Sequence, residues 1–307
     1  MTHSRKWTIA AGCPAGPEFA TEYITALGEE RFEINLTMSD DSIKVAPSTA
    51  SIGAEISGID LSRPLGEAQA AELRRAIADY QVIFFRDQAL DFESQQRVGR
   101  YFGELMLHSG VAGLKEHPLV VAIHADADSK YVAGENWHSD LTCDAEPPMG
   151  SILYLHTVPE VGGDTLFSSM YTAYEALSGR MKAYLDGLTA VHDGEHVYRP
   201  LTDDPAKRFP CSSHPIVRTH PVTGRKALFV NRSYTTRING VPKDESDAVL
   251  AYLYAHCTNP NFQVRFRWRP HSVAFWDNRC TQHMAVWDYY PQVRSGYRVT
   301  IQGEKPA

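Results

Sequence analysis

From Ile43 onward the apolar positions fall into short runs broken by turn residues. The segment IKVAPSTASIGAEISGIDL alternates over short stretches, the period-two pattern of strands with one face turned inward. The next segment, LGEAQAAELRRAIADY, changes period and puts Leu65, Leu73 and Ile77 on one helical stripe. QVIFFRDQ is a compact apolar run suited to a buried strand. DFESQQRVGRYFG predicts a second helix, with Asp91 as its N-cap and Gly103 at its end. Then come LVVAIHA, GSILYLHTV, DTLFSS, HPIVRTH, ALFVN, FQVRFRWR, SVAFWDN and GYRVTIQG, all of β type, interrupted by one helical stretch, PKDESDAVLAYLYAHC.

Many short strands with polar turns predict a mainly β fold with flanking helices, organised as a double-stranded β-helix, or jelly roll. Residues 43–307 read as one domain, because the candidate site residues come from both ends of the strand-rich region. Residues 1–42 lack clear periodicity and read as an N-terminal arm.

Composition narrows the class. The 307 residues are 43% hydrophobic and 22% charged, the balance of a soluble globular protein. The net charge of -7 gives no basic face for nucleic acid. No apolar run approaches the roughly 18 residues of a membrane span. The N-terminal MTHSRKWTIAAGCPAG is interrupted by Pro14 and does not read as a signal peptide. The five cysteines, at 13, 143, 211, 257 and 280, are scattered and form no CxxC. That argues against disulfides and a zinc ribbon, and fits a cytoplasmic protein. Cys143 and Cys280 read as small buried hydrophobes. No Walker loop, nucleophile elbow or GxGxxG is present.

The chemistry begins at ENWHSDLTCDAEPPMG, residues 135–150. His138 and Asp140 stand at i and i+2, on one face if the segment is a strand. A third ligand has to come from a distant strand, and His283, just after SVAFWDN, is the best placed. Two imidazoles and a carboxylate leave open positions on an octahedral ion, the ligand set of non-haem Fe(II) oxygenases. Arg294 and Arg298 follow in RSGYRVTIQG, sharing one strand face with Gly296 and Thr300. Two inward guanidiniums are costly unless they meet anions, and a guanidinium fork matches a carboxylate. A dicarboxylate co-substrate meets that need.

The chain also resembles the taurine dioxygenase family of Fe(II)/2-oxoglutarate-dependent oxygenases. FFRDQ, FGEL, NWHSD, GGDTLF, AYEALS, HPIVRTHPVTGRKALFVN, TTRI, WDNRCTQH, DYYPQVR and YRVTIQGEKP carry the resemblance, in order, from about residue 43 to 306. It implies His138, Asp140 and His283 as ligands of Fe(II), with 2-oxoglutarate and O2 as co-substrates. It implies Thr165 and Arg294 as partners of the distal carboxylate of 2-oxoglutarate. Arg298 matches the arginine near the co-substrate's C1 carboxylate and the substrate's anionic end, and His108 matches a histidine that contacts the substrate anion. Tyr234 stands where taurine-oxidising relatives carry Phe, and there the aligned position lines the pocket.

Three further positions depart from those relatives: Gly134 replaces an Asn, Val111 a Tyr and Gly194 a Phe. Lost side chains there are expected to open space for a larger or differently polar anion. The expected reaction is hydroxylation of a small organic anion, taurine-like alkylsulfonate or related, with release of succinate and CO2. Asp140 argues against halogenation. Cleavage of an aryloxyalkanoate or alkyl sulfate by the same chemistry is the alternative. A non-catalytic cupin-like metal protein and a zinc hydrolase are the readings from other classes. A homo-oligomer, dimer or tetramer, without nucleic-acid or membrane partners, is expected. Trp137 reads as barrel packing, and His192, His214 and His220 are not expected to be ligands.

Overall fold

A computed structural model describes residues 43–307; the N-terminal arm expected over 1–42 lies outside the described residues. The chain opens with strands β1 (Lys44–Pro47) and β2 (Ala54–Ser57), helix α1 (Glu67–Tyr80), strand β3 (Val82–Phe85) and helix α2 (Phe92–Arg100). Strands β4 (Val120–Ala125), β5 (Gly150–Thr157) and β6 (Thr165–Ser169) follow, then helices α3 (Met170–Glu175) and α4 (Gly179–Leu185). Next are β7 (Thr189–Asp193), α5 (Glu195–Tyr198), β8 (Cys211–Pro215), β9 (Val217–Thr219), β10 (Lys226–Leu228) and β11 (Thr235–Ile238). Helix α6 (Lys243–Cys257) precedes β12 (Gln263–Phe266), β13 (Ser272–Asp277), β14 (Thr281–Ala285) and β15 (Arg294–Ile301).

The largest sheet has seven strands in the order β1-β2-β3-β13-β5-β15-β4. Only β2 and β3 pair in parallel, which the α1 crossover between them permits. Gln81 ends α1 in the left-handed region, at φ 68°, with its N–H bonded to the Ile77 carbonyl at 2.8 Å. Asp91 caps α2 by accepting from the Ser94 N–H at 2.7 Å, as expected, whereas Tyr101 and not Gly103 is the C-cap.

Both faces of this sheet are covered, which is why its central strands are apolar without alternation. Along β3, Ile83 and Phe85 face the core under α1 and α2, while Val82 and Phe84 face the other way. Val273 and Phe275 of β13, and Ile152 and Tyr154 of β5, repeat the first orientation; Ala274, Trp276, Leu153 and Leu155 repeat the second. The second face packs on the small sheet β12-β6-β14. Phe84 stacks on Phe266 with ring centroids 4.0 Å apart, and Phe167 of β6 tilts against Trp276. Each such buried aromatic contributes about 1.5–3 kcal/mol. A third core gathers α3, α4 and α6 around β10.

Several elements depart from the pattern. HPIVRTH divides into β8 and β9 at Ile216, whose N–H bonds to the Leu188 carbonyl and whose side chain enters the helical core. FQVRFRWR remains a strand only to Phe266, because Trp268 turns into the inter-sheet core. Strands β7, β11 and β14 and helices α3, α4 and α5 are too short, or too mixed in polarity, for a period to mark them. No helix among the described residues is long and apolar enough to cross a membrane.

Candidate active site

The strand expected across ENWHSD does not form. His138 makes a single antiparallel bridge to His283 of β14, with backbone bonds of 3.1 and 2.7 Å in the two directions. The chain then turns, with Leu141 at φ 50°. Bridge and turn bring His138, Asp140 and His283 together, their ligand atoms all within 4.8 Å of one another and all three residues buried. The alternation of a strand pair survives locally. His138 and His283 face inward, while their neighbours Trp137 and Gln282 line an open groove of about 500 Å³ against α6. Trp137 is therefore half-buried at that groove rather than packed in the barrel.

Each ligand atom is held from behind. The Nδ1–H of His138 donates to the Asn136 carbonyl at 2.7 Å, which leaves the lone pair of Nε2 facing Asp140. The Nε2 atoms of His138 and His283 lie 3.6 and 3.9 Å from Oδ1 of Asp140. The His283 ring is fixed by His138, Phe167 and Trp276, with centroids 4.1, 5.9 and 4.6 Å away. The other carboxylate oxygen, Oδ2, accepts from the Ser151 hydroxyl at 2.7 Å and the Asn278 amide at 3.3 Å. Asn278 also accepts from the Asp140 N–H and from the Trp276 indole through its own Oδ1. Burial pushes the Asp140 carboxyl up, but Arg298, at 3.0 Å, and then the imidazoles hold it well below the usual carboxylate range. Burial and the neighbouring His138 hold the His283 imidazole well below the ordinary histidine range, so it is neutral.

Two imidazoles and one carboxylate aimed at one point form a donor set that fits a divalent cation. Bonds of about 2.0–2.2 Å put adjacent donors about 3 Å apart, and the spacings of 3.6 and 3.9 Å to Asp140 Oδ1 are somewhat wider than that.

A cavity of about 50 Å³ adjoins the cluster, lined in part by His138, His283, Thr165, Arg294, Arg298 and Trp276. Arg294 is 3% exposed and has no carboxylate partner among the described residues. It donates to the Gly163 carbonyl at 3.0 Å and the Thr165 hydroxyl oxygen at 3.3 Å, and lies over the Trp268 ring. Burial pulls its pKa down to about 10, so it stays charged at neutral pH. The Trp268 indole also donates to Thr165, at 2.9 Å. With two N–H groups on its oxygen, the Thr165 hydroxyl has its own proton to offer.

His108 is half-buried near Arg298. Its Nδ1 accepts the N–H groups of Gly110 and Val111, both at 3.1 Å, which puts the ring proton on Nε2. Burial and then the Arg298 charge pull its pKa down to about 3. Tyr234 is buried, its hydroxyl 2.6 Å from that of Tyr198.

The departures do not simply open space. A Cβ at Gly194 falls 3.1 Å from both Cys143 Sγ and the Pro210 carbonyl, and 3.3 Å from the Tyr198 ring. Gly134 has φ +83°, and a Cβ there falls 3.0 Å from the His138 ring. Val111 is 41% exposed. The room at 194 is bounded by Cys143, Pro210 and Tyr198, the last of which sequence reasoning did not single out; nor did it single out Asn278, Ser151 or Trp268. Asn278 lies inside WDNRCTQH, but nothing in its spacing marks it.

His220, Asp277 and Cys280 form a second buried cluster. Nδ1 of His220 accepts from the Val222 and Thr223 N–H groups, so Nε2 donates to Asp277 at 3.1 Å. Asp277 also takes a two-pronged contact from Arg279, at 2.9 and 2.7 Å. Both nitrogens are engaged, and this cluster is a structural ion-pair network. His192 and His214 likewise bond to Thr142 and to the Asp144 carbonyl.

The family model "Taurine catabolism dioxygenase TauD, TfdA family" matches residues 44–300. An alpha-ketoglutarate-dependent sulfate ester dioxygenase of Pseudomonas putida is 36% identical over 277 residues, 86% of this chain and 91% of its own. Among solved structures, a taurine dioxygenase from Burkholderia xenovorans is similar with a TM-score of 0.76 and 38% identity, over 87% of this chain and 93% of that one. AAD-2 in complex with Mn(II) and N-oxalylglycine is similar with a TM-score of 0.73 and 30% identity, over 86% of this chain and 99% of that one.

Proposed function

The chain belongs to the taurine catabolism dioxygenase TauD, TfdA family, and on that premise we propose that it is an iron(II)- and 2-oxoglutarate-dependent dioxygenase that hydroxylates a small organic anion. His138, Asp140 and His283 are the proposed iron ligands. Thr165 and Arg294 are the proposed seat of the distal carboxylate of 2-oxoglutarate. Arg298 stands between that co-substrate and the substrate, and His108 and Tyr234 belong to the substrate wall. The opposed sheets are read as a double-stranded β-helix, and residues 43–307 as one oxygenase domain. The four described cysteines are free, which accords with a cytoplasmic location.

One observation carries this reading. Arg294 is a buried cation with no anionic partner among the described residues, in a cavity also lined by His138 and His283 of the ligand cluster. A buried guanidinium is unfavourable unless an anion meets it, and a small diacid able to reach the ligand cluster does so. A non-catalytic cupin-like metal protein or a zinc hydrolase has no need of this cradle. The complex of the related AAD-2 with Mn(II) and N-oxalylglycine, an analogue of 2-oxoglutarate, supports the same pairing.

When bound, iron(II) supplies the O2-dependent decarboxylation of 2-oxoglutarate to succinate and CO2 coupled to C–H hydroxylation. The protein supplies orientation and exclusion of water. Arg294 and the Thr165 hydroxyl hold one carboxylate, so the keto-acid end points at the ligand cluster. Ile123, Leu153 and Trp276 keep the cavity walls apolar. The Nδ1–H bond from His138 to the Asn136 carbonyl keeps that proton off the metal-facing nitrogen. Nε2–H of His108 is positioned to donate to the substrate's anionic group. A hydroxylated carbon that bears a sulfonate, a sulfate ester or an aryloxy group expels it, so alkylsulfonates, alkyl sulfates and aryloxyalkanoates are the substrate classes to test.

The test is a substrate panel scored by succinate release with added ferrous ion. At least one organic anion is expected to stimulate succinate formation, and Asp140→Ala and His283→Ala are expected to abolish it. Full turnover in either variant, or zinc-supported hydrolysis without 2-oxoglutarate, contradicts the assignment.

A further inference from the structure

Beside the proposed substrate site two phenols share one hydrogen bond and have a proton to spare. Tyr198 and Tyr234 are each 4% exposed, and their hydroxyl oxygens are 2.6 Å apart. Neither hydroxyl has another hydrogen-bond partner among the described residues. Each neutral phenol carries one O–H. Only one of the two protons can lie in the shared contact, so the pair keeps one O–H without a protein acceptor. A buried donor in that condition is unfavourable unless something else accepts from it.

The position of the pair is set by packing. The Tyr198 ring lies against the backbone of Gly110, where a Cβ would fall 2.2 Å from a ring carbon, and against Phe209 at 5.4 Å. Its edge meets the His108 ring at 6.1 Å and 87°. Both phenols lie close enough to Asp140 to feel its charge, and Tyr198 also feels that of Arg298. Burial raises both phenols far above the ordinary tyrosine range, so each remains protonated, and therefore a donor, across the physiological pH range. Two more donors flank the same region: Nε2–H of His108, and Nε of Arg298, which is buried without a partner among the described residues.

We infer that the Tyr198–Tyr234 hydroxyl pair is a third donor to the substrate's anionic group and selects sulfur oxyanions, with three terminal oxygens, over carboxylates, with two. The inference rests on the function proposed above and deepens it. His108, Arg298 and the phenol pair provide donors from three side-chain groups. A tetrahedral sulfonate or sulfate ester can turn one oxygen toward each of three groups, whereas a carboxylate holds all its acceptor sites in one plane. The two sulfur groups present the same three oxygens, so the pair accepts either.

The probes are hexanesulfonate, hexyl sulfate and heptanoate, titrated calorimetrically into anaerobic protein loaded with Mn(II) and 2-oxoglutarate. Wild type is expected to prefer both sulfur probes to heptanoate. The double variant Tyr198→Phe/Tyr234→Phe is expected to bind the sulfur probes about tenfold to a hundredfold more weakly, the loss typical of a hydrogen bond to a charged group, with heptanoate nearly unchanged. One single variant should reproduce most of that loss, and identifies the hydroxyl that faces the substrate. Tighter binding of one sulfur probe by wild type identifies which group the site prefers. Titration of 2-oxoglutarate alone is a separate control, expected to match wild type in every variant. Failure of wild type to bind 2-oxoglutarate refutes the proposed function. Intact 2-oxoglutarate binding with an unchanged sulfur-to-carboxylate ratio in the double variant, or with no wild-type preference for the sulfur probes, refutes this inference alone. Thermal melts of each variant establish that the fold persists.

Discussion

Replacing Arg294 by Met should move two properties in opposite directions. In the ligand-free protein Arg294 is a liability. Burial pulls its pKa from 12.5 to about 10, a desolvation cost on the order of 3 kcal/mol at about 1.36 kcal/mol for each tenfold change. The sign follows from linkage. The guanidinium binds its proton more weakly in the folded state, so the cost applies at every pH below about 10 and fades only above it. Met removes the cost and fills similar volume, but strands the Gly163 carbonyl, worth about 1–3 kcal/mol. The net change in stability is therefore between about 0 and +2 kcal/mol, constant from pH 6 to 9. The ligand changes the balance. Removing one partner of a buried charge pair costs about 2–5 kcal/mol, which is roughly 30-fold to several-thousand-fold in the dissociation constant for 2-oxoglutarate. Urea melts without ligand and calorimetric titration of 2-oxoglutarate read the two quantities separately. A variant that loses several kcal/mol of stability while binding 2-oxoglutarate as wild type does would refute the reasoning, because Arg294 would then be a structural cation.

Asn278→Ala leaves the Asp140 N–H and the Trp276 indole without their acceptor, and should weaken Mn(II) binding about tenfold to a hundredfold, read by metal titration of otherwise folded protein. Gly134→Ala places a side chain at φ +83° against the His138 ring; we expect about 1–2 kcal/mol of strain and a further loss of metal affinity, checked by melts with and without Mn(II). Asp277→Asn tests the second cluster. Burial pushes the Asp277 carboxyl up, but Arg279 and His220 outweigh it and hold it far below the ordinary range. A depressed carboxylate contributes stability above its unfolded pKa near 4, and that contribution fades as pH falls. The variant should lose about 3–5 kcal/mol at neutral pH by removing the buried carboxylate that Arg279 meets at two points, leaving it only Glu304 at 3.7 Å, and its stability should fall less steeply than wild type below about pH 4. Parallel acid-side denaturation curves for the two proteins would contradict this.

Local pattern was enough to place α1, α2, α6 and the central strands, since period and capping act over a few residues and a burial stripe can be read from one segment. Residue chemistry was enough to nominate His138, Asp140, His283, Arg294 and Arg298, because few side-chain types bind divalent metals or carboxylates and the sequence order kept them in compatible places. Tertiary structure alone decided that His138 reaches His283 through one bridge and a turn instead of a strand. It alone left Arg294 without a carboxylate among the described residues, set Asn278 behind Asp140, and packed Cys143, Pro210 and Tyr198 around Gly194. Each of these depends on register and packing between segments that lie up to about 140 residues apart. A sequence period carries no information about which neighbour a distant strand will supply. Contacts between such segments form only when the sheets close on one another, and there the remaining donors find, or lack, their partners.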